Sequence, residues 1–314
     1  MDIIKYCAQK EKSNFKHFDF KNIKTSKLTQ SEVHIKFCKD KIEVVRLPEN
    51  GTDQIRLQFF LSCLQSLGSQ DWDFEFIVDL GDLIETFDPH APRLCFSKRY
   101  SNYNIIIPDA HIIQASKVSS NIKAIDTKFS EKLNKAIFAG SDTGLYRTAQ
   151  ENQRFQFCYN NRNSDLGDFY ISQFAQIDKE TLADFEHENF SNKFSSPQEQ
   201  IKYKYIFNIY GNTTCWDRLP WALSSNSLVL NLKPKLNQID QMSWYYYYFD
   251  LLNPLVNVDE HNWEATVKYL NDNTDLAESL NDRQKQLGNM LCDPNFHLNY
   301  LLNILDIYNQ EYNK

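Results

Sequence analysis

Residues 203–232, YKYIFNIYGNTTCWDRLPWALSSNSLVLNL, decide the fold class of this chain. The apolar run 205–210 predicts a strand, residues 217–226 predict a helix, and residues 227–232 predict a second strand. A strand, a helix and another strand in this order are typical of a parallel βαβ unit. The stretch therefore predicts an α/β protein.

The same alternation extends over the rest of the sequence. Residues 33–47 predict two strands around a polar turn, and residues 52–67 predict a helix capped by Thr52 or Asp53. Further strands are predicted at 74–80, 94–98, 104–108 and 135–140. One further helix is predicted from Ser141 through Arg147, and another begins at Pro197 with Ser196 as its N-cap. Helices dominate after residue 240. Because 314 residues suffice for two domains, we expect one domain over 1–130 and another over 131–294.

The composition excludes several classes of protein. Lys and Arg number 34 against 41 Asp and Glu, and this net charge of −7 argues against a nucleic-acid binder. The seven cysteines are widely spaced without a C-x-x-C pair, so we expect buried free thiols rather than disulfides or a zinc site. We also expect no signal peptide, and no stretch has the roughly 20 apolar residues of a membrane helix. These features predict a cytoplasmic protein with at most peripheral membrane contact.

Two carboxylates follow the predicted buried strand at 74–80. Asp79 and Asp82 would lie beyond the carboxyl end of that strand, where open α/β sheets bind their ligands. A carboxylate there can act as a general base on a bound hydroxyl. The alternative is that Asp79 or Asp82 caps the turn that follows the strand.

A candidate anion site lies where the strand at 135–140 ends. Ser141 and Thr143 would stand at the start of the predicted helix, and Arg147 about one turn later. Backbone amides and hydroxyls at a helix N-terminus favour a phosphate, and an arginine adds fixed positive charge. An ordinary helix cap is the alternative.

The polar loop after the strand at 205–210 is a second candidate anion site. Gly211, Asn212, Thr213 and Thr214 precede a helix that carries Arg218 in its first turn. A basic residue in the first turn opposes the helix dipole unless an anion offsets it, which makes Arg218 a phosphate-binding candidate. The alternative is an exposed arginine whose stem covers apolar surface.

Nucleotide-loop and zinc-protease motifs are absent from the sequence, and its histidines are scattered singly. Asp71-Trp72-Asp73 matches the D-x-D pattern by which some glycosyltransferases of the GT-A fold hold a divalent metal. A three-residue pattern of common residues arises often by chance. We therefore expect neither a metal nor a cofactor, and keep a metal-dependent GT-A enzyme as an alternative.

Five segments in one order carry a resemblance to family 90 glycosyltransferases. They are FEFIVDLGD at 74–82, LCFSK at 94–98, AIFAGSDTG at 136–144 with Arg147, YKYIFNIYGN at 203–212 with Arg218, and LLNPLVNV at 251–258. That family includes capsule-associated xylosyltransferases, Rumi-type protein O-glucosyltransferases and bacterial lipopolysaccharide glycosyltransferases. The resemblance implies a GT-B-like architecture, with two Rossmann-like domains facing across a cleft and residues 295–314 returning to the first domain.

The resemblance also implies a reaction and its residues. Members of the family are inverting, metal-independent and use UDP-sugars. Their catalytic base corresponds to Asp82, although Gly81 stands where the family commonly has an arginine, which leaves Asp79 as a rival. The donor-binding residues correspond to the following positions: Ser141, Thr143, Arg147, Gly211, Asn212, Thr213, Thr214 and Arg218.

The sequence thus predicts an enzyme that moves a sugar from a UDP-sugar to a hydroxyl of a glycan or lipid-linked oligosaccharide. Lipopolysaccharide or capsule synthesis at the inner face of a bacterial inner membrane fits the expected absence of a signal peptide and of disulfides. Two alternatives remain. One is a catalytically silent glycan- or nucleotide-binding protein, and the other is the GT-A enzyme with Asp71 and Asp73 as metal ligands.

Overall fold

The structure, a computed structural model, describes residues 3–20, 28–39, 41–109 and 111–314, except for the side chain of Asp250. The chain divides into two compact units. Unit 1 comprises 1–113, 240–252 and 293–314, and unit 2 comprises 114–239 and 253–292. The first unit therefore ends at residue 113 rather than near 130, and it takes up two later segments of the chain.

Helices and strands alternate along most of the described chain. The first part contains α1 (Ile3–Phe15), β1 (Glu32–Cys38), β2 (Lys41–Arg46), α2 (Gly51–Ser66), β3 (Asp73–Asp79), β4 (Arg93–Cys95), β5 (Ser97–Arg99), β6 (Ile105–Ile106) and α3 (Ile112–Lys123). The middle part contains β7 (Leu133–Gly140), α4 (Gln153–Asn160), β8 (Gly167–Ile171), α5 (Lys179–Leu182), α6 (Pro197–Gln200), β9 (Tyr203–Asn208), α7 (Arg218–Leu223) and β10 (Leu228–Leu232). The last part contains β11 (Gln241–Ser243), α8 (Tyr246–Leu252), β12 (Val256–Val258), α9 (Trp263–Asp272), α10 (Thr274–Leu291) and α11 (Pro294–Tyr312). Short 3₁₀ turns cover Phe129–Glu131 and Leu236–Gln238.

The sheet of unit 1 is mixed rather than parallel. Its described strands run in the order β2-β1-β3-β4-β6. The pairs β2-β1 and β1-β3 are antiparallel, whereas β3-β4 and β4-β6 are parallel. The predicted hairpin at 33–47 is confirmed, and it adds the two antiparallel strands. The strand predicted at 94–98 breaks at Phe96, because β5 leaves this sheet and pairs with β11.

Two long-range contacts hold unit 1 together. The C-terminal helix α11 packs on β3, where the ring of Tyr308 lies 5.2 Å from that of Phe74. A buried ion pair joins α1 to β5: Nζ of Lys98 donates to both carboxylate oxygens of Glu11, at 3.0 and 3.2 Å, and to the carbonyl of Asn104 at 2.7 Å. Lys98 and Glu11 are 1% and 0% exposed, so this lysine of the F-S-K segment serves the core.

The sheet of unit 2 is parallel throughout its described strands, in the order β12-β10-β9-β7-β8. The prediction that 135–140 and 205–210 are parallel strands of one sheet is confirmed, since β7 pairs directly with β9. Rings from α4, α9 and the strands fill one side of this sheet. The ring of Phe157 lies 4.8 Å from that of Phe207, and Trp263 lies 5.1 Å from Phe169.

The other side of the unit 2 sheet carries α7 and α10. Gln284 of α10, which is fully buried, accepts from the backbone N–H of Val229 at 2.7 Å and donates to its carbonyl at 2.9 Å. The two helices come very close at Gly288, since a Cβ there would stand 2.2 Å from the backbone nitrogen of Ser224. Only glycine permits this approach.

Local capping signals are largely confirmed. Helix α6 begins with Pro197 and with a complete capping box between Ser196 and Glu199, but it ends at Gln200 because β9 follows at once. The cap of α2 was assigned wrongly: Asn50 is the N-cap, and its side chain accepts from the N–H of Asp53 at 2.8 Å. All seven cysteines are thiols rather than members of disulfides, and all but Cys38 are buried, as the cysteine spacing predicts.

Candidate functional site

The strand order of unit 2 identifies one edge of its sheet as the place for a ligand. From β7 the chain moves outward to β8 on one side, and then to β9, β10 and β12 on the other. The neighbouring strands β7 and β9 therefore form the topological switch point. Open α/β sheets bind ligands beyond the carboxyl ends of the strands at such a point.

A cleft of about 390 Å³ opens at this edge of unit 2. This volume lies within the roughly 300–1,000 Å³ of small-molecule sites. The lining residues that matter chemically are Gly140, Ser141, Phe194, Gln200, Asp217 and Arg218. The expected residues Ser141 and Arg218, which are 77 positions apart in sequence, are thus brought to one cleft.

Arg218 stands at the first position of α7 and reaches back to the end of β7. Its Nη2 donates to the carbonyl of Ala139 at 2.6 Å, and its guanidinium carbon lies 4.7 Å from the ring centroid of Phe138. Its Nη1 is buried and has no hydrogen-bond partner among the described residues. Arg218 therefore has a donor that its own protein does not use.

A second arginine, Arg154 of α4, lies beside the same strand ends. It is 8% exposed. Its Nη2 donates to the carbonyl of Ile209 at 2.9 Å, and its Nη1 donates to Oγ1 of Thr143 at 2.6 Å. Its guanidinium carbon is 5.7 Å from the centroid of Phe138, so one ring lies beside both arginines. Cation–π attraction on this ring helps to hold both charges in place.

Glycines at both strand ends make room for these arginines. A Cβ on Gly140 would stand 2.5 Å from Nη2 of Arg218. A Cβ on Gly211 would stand 3.0 Å from Nη2 of Arg154 and 3.0 Å from Oγ1 of Thr143. A larger residue at either position would displace a guanidinium group, by more at Gly140 than at Gly211.

The two arginines create a concentration of positive charge. Among the residues that the structure describes, neither forms an ion pair with a carboxylate. Burial and the neighbouring charge of Arg154 lower the pKa of Arg218, and Asp217 offsets this only in part. The buried Asp142 is fully engaged elsewhere, since its oxygens accept from the backbone N–H groups of residues 175–177. An anion that enters the cleft would find a positive field that Asp217 compensates only in part.

The segment after β7 differs from the prediction. No helix begins at Ser141: residues 141–152 form turns and bends, and α4 begins at Gln153. The side chain of Asn152 donates to the carbonyls of Asp142 at 2.6 Å and Tyr146 at 3.2 Å, which fixes this segment as a loop. The helix-terminus argument for Ser141 and Thr143 is therefore wrong, although Ser141 does line the cleft.

Arg147 does not take the expected place beside these residues. It is exposed and is not among the residues that line the cleft. The guanidinium group that does contact Thr143 belongs to Arg154, seven residues later. One feature of the sequence could have identified Arg154. It directly precedes the apolar Phe155 and Phe157, and this position predicts that Arg154 lies next to the buried face of α4.

The loop after β9 supports the cleft rather than lining it. Gly211 accepts at its carbonyl from Nε2 of Gln238 at 2.7 Å. Thr213 and Thr214 are buried, with 3.3 Å between their hydroxyl oxygens, and Asn212 is half-buried. These four residues are not among those that line the cleft, whereas Arg218 is. Because α7 spans six residues only, the argument from its dipole has little weight.

The candidate bases Asp79 and Asp82 belong to unit 1, at the carboxyl end of β3. Asp82 keeps 35% of its side chain exposed, and its Oδ1 accepts from Nη2 of Arg56 at 2.6 Å. That same arginine donates to the carbonyl of Leu80 at 2.8 Å. An arginine of helix α2 thus forms an ion pair with Asp82.

Asp79 is the more buried of the two carboxylates, at 9% exposure. Its Oδ1 accepts from the N–H of Gly81 at 2.7 Å, so the alternative in which it caps the turn is confirmed. Burial raises the pKa of Asp79 to about 6, with a smaller contribution from the nearby carboxylate of Glu32. Arg93 opposes this rise.

Asp71 and Asp73 lie at the opposite, amino end of β3, and both are exposed. In the part of the chain that the structure describes, no group of three or more His, Cys, Asp or Glu side chains is arranged to hold a metal ion. Across the same residues, no helix combines the length and the apolar character needed to cross a membrane.

A comparison with models of known protein families finds none that matches this chain, and a comparison with curated proteins finds none that is similar. The resemblance to family 90 glycosyltransferases therefore depends on the five sequence segments alone.

Proposed function

We propose that the cleft of unit 2 binds the diphosphate of a UDP-sugar and that the chain is an inverting glycosyltransferase. One observation carries the proposal: Arg218 lines a cleft at the switch point of a parallel sheet, and its Nη1 is buried without a partner among the described residues. The positive charge of Arg154 lies nearby, outside the lining of the cleft. Guanidinium groups suit phosphate oxygens, because their planar N–H groups can form two parallel hydrogen bonds. The order of the five resembling segments supplies the reaction class.

In this proposal, the arginines act on the leaving group. Negative charge develops on the diphosphate as its bond to the anomeric carbon breaks. Arg218 and Arg154 would neutralise that charge from fixed positions, since both are held by backbone carbonyls and by Phe138. The resemblance implies that no metal is needed for this step, and the arginines supply positive charge of their own.

The acceptor hydroxyl would lose its proton to a carboxylate at the end of β3 and would attack from the face opposite UDP. Asp82 is the base that the resemblance indicates, and 35% of its side chain is exposed beside Arg56. Asp79 remains the rival, because a pKa of about 6 suits a general base near neutral pH. The two roles are distinguishable by substitution.

The proposal extends to setting and architecture. The resemblance implies a GT-B arrangement of the two units. It also implies that the acceptor is a glycan or a lipid-linked oligosaccharide and that the protein acts at the inner face of a bacterial inner membrane. Lipopolysaccharide or capsule synthesis is the corresponding process.

The test of the phosphate site is UDP binding by calorimetry. Hydrogen bonds to charged groups contribute about 1.5–3 kcal/mol, so Arg218→Ala should weaken UDP binding roughly 10- to 150-fold. Arg218→Lys should recover part of this loss, because it keeps the charge and loses the fork. The matched control is Arg162→Ala, since Arg162 also stacks on a ring, Tyr159 at 4.0 Å, but is exposed and outside the cleft. Equal UDP affinity in folded Arg218→Ala and wild-type protein would remove the phosphate assignment.

The test of the base is UDP release with an acceptor glycan. Asp82→Asn should lower turnover about 10²- to 10⁴-fold while UDP affinity survives, because general-base catalysis typically contributes this factor. Asp79→Asn should retain turnover if it only caps the turn. The opposite pattern would exchange the two roles, and normal turnover in both variants would exclude a carboxylate base at this strand end.

Two other functions remain open to the same measurements. UDP binding without turnover of any UDP-sugar would indicate a silent nucleotide- or glycan-binding protein. Loss of activity on chelation would favour the GT-A alternative, although Asp71 and Asp73 stand at the end of β3 where parallel sheets do not normally bind ligands.

A further inference from the structure

Two residues of the cleft have no role in binding a diphosphate. Phe194, in the segment before α6, lines the cleft and yet is 79% exposed. Within the described residues it stacks on no other ring. An exposed aromatic face beside a cleft offers a platform on which a planar group can stack.

Gln200 lines the same cleft and is only 3% exposed. Its Nε2 donates to the carbonyl of Ser195 at 2.8 Å, whereas its Oε1 is buried without a partner in the described part of the chain. The capping box between Ser196 and Glu199 fixes the short helix that carries it. The cleft therefore contains a fixed, unused acceptor, and a ligand that donates to it would remove an unfavourable unpaired group.

We propose that Phe194 and Gln200 form a base subsite that selects uracil. The uracil ring stacks on Phe194, and its N3–H donates to Oε1 of Gln200. This inference rests on the proposed function, since it assumes that Arg218 holds the diphosphate of the same nucleotide. The cleft then has a charged end for phosphate and a neutral end for the base.

The chemistry of Gln200 makes the subsite selective. One N–H of its amide donates to Ser195, and its unpaired Oε1 can pair only with a donor. Uracil has a donor at N3, whereas cytosine has an acceptor at that position and would place two acceptors face to face. Uridine diphosphate should therefore bind better than cytidine diphosphate.

The experiment is calorimetry on the full chain with UDP, CDP, 3-methyl-UDP and pyrophosphate. For the wild type, 3-methyl-UDP should bind about 5- to 150-fold more weakly than UDP, because the methyl group removes the N3 donor. In Gln200→Met the difference between these two ligands should shrink toward one. Phe194→Ala should weaken UDP binding by a similar factor, whereas Phe194→Tyr should not, because tyrosine keeps the ring. The control is Leu236→Ala, which removes an apolar side chain that is 89% exposed and lies outside the cleft.

Each outcome decides the inference. Equal affinity of the wild type for UDP and 3-methyl-UDP, with Arg218→Ala still weakening UDP, overturns the base subsite and leaves the phosphate site standing. Weaker pyrophosphate binding in Phe194→Ala or Gln200→Met overturns it as well, because these residues would then act on the phosphate end or on the fold. Absence of UDP binding overturns both the subsite and the proposed function.

Discussion

Gly140→Ala should disable the cleft without removing any charge. The new Cβ would stand 2.5 Å from Nη2 of Arg218 and 3.2 Å from its Cζ. Ordinary contact begins at about 3.4 Å, so Nη2 must retreat by about 0.9 Å (3.4 − 2.5). A shift of this size is enough to break its 2.6 Å hydrogen bond to the carbonyl of Ala139.

The cost follows from the contacts that are lost. The bond from a charged donor contributes about 1.5–3 kcal/mol, and the cation–π contact with Phe138 contributes about 0.5–1 kcal/mol. The lower backbone entropy of unfolded alanine offsets about 0.4–1 kcal/mol. We therefore expect the free energy of unfolding to fall by about 1–3 kcal/mol and UDP affinity to fall at least tenfold.

Urea denaturation and UDP calorimetry test this in a double-mutant cycle. If the Cβ acts through Arg218, Gly140→Ala should cost almost nothing in the Arg218→Ala background. Gly51→Ala is the control, since a Cβ at Gly51 meets no atom within 4 Å and should not lower stability. The same loss of stability in both backgrounds would refute the reasoning and would place the strain in the backbone of β7.

Three further predictions concern stability, each measured by urea denaturation. The pKa of Asp79 is raised from 3.8 to about 6, so the folded state holds this proton more tightly than the unfolded state, and the free energy of unfolding should fall as pH rises from about 4 to 6. This fall should be at most about 3 kcal/mol and should be absent in Asp79→Asn. An unchanged pH slope in Asp79→Asn would contradict this. Lys98→Met should cost about 3–5 kcal/mol, because the buried Glu11 keeps hydrogen bonds from Ile106 and Tyr247 but loses its counter-charge, and Glu11→Gln in the same chain should recover part of it. Gly288→Ala should cost about 1–3 kcal/mol, since its Cβ would meet the α7 backbone, and a neutral effect would exclude that close approach.

Local signals in the sequence were enough for most elements of unit 2. The β7 and β9 strands, the capped start of α6 and the position of Arg218 at the start of α7 all follow from apolar runs, cap residues and turn residues within a few positions of one another. The sequence also determined that β7 and β9 are parallel, because a helical crossover between strands of one sheet favours that direction.

Predictions that depended on partners distant in sequence were wrong. Nothing near Ser141 indicates that Asp142 accepts from the N–H groups of residues 175–177, and that contact helps to hold a loop where a helix was expected. The strand predicted at 94–98 breaks because β11, about 145 residues later, pairs with β5.

The candidate site likewise combines residues that local sequence signals indicate with residues that only distant contacts bring together. Arg218 could be selected from the sequence, because a cation is unfavourable at the start of a predicted helix, although the six residues of α7 leave that argument little weight. Only the tertiary structure placed Arg154 beside it, through a hydrogen bond to the carbonyl of Ile209, 55 residues away. Likewise, the oxygen of Gln200 is unpaired because the other end of its amide donates to Ser195 and the packing of the described chain buries the side chain. Sequence patterns encode local conformation, whereas the order of strands and the burial of polar atoms arise from contacts that form only when distant segments pack together.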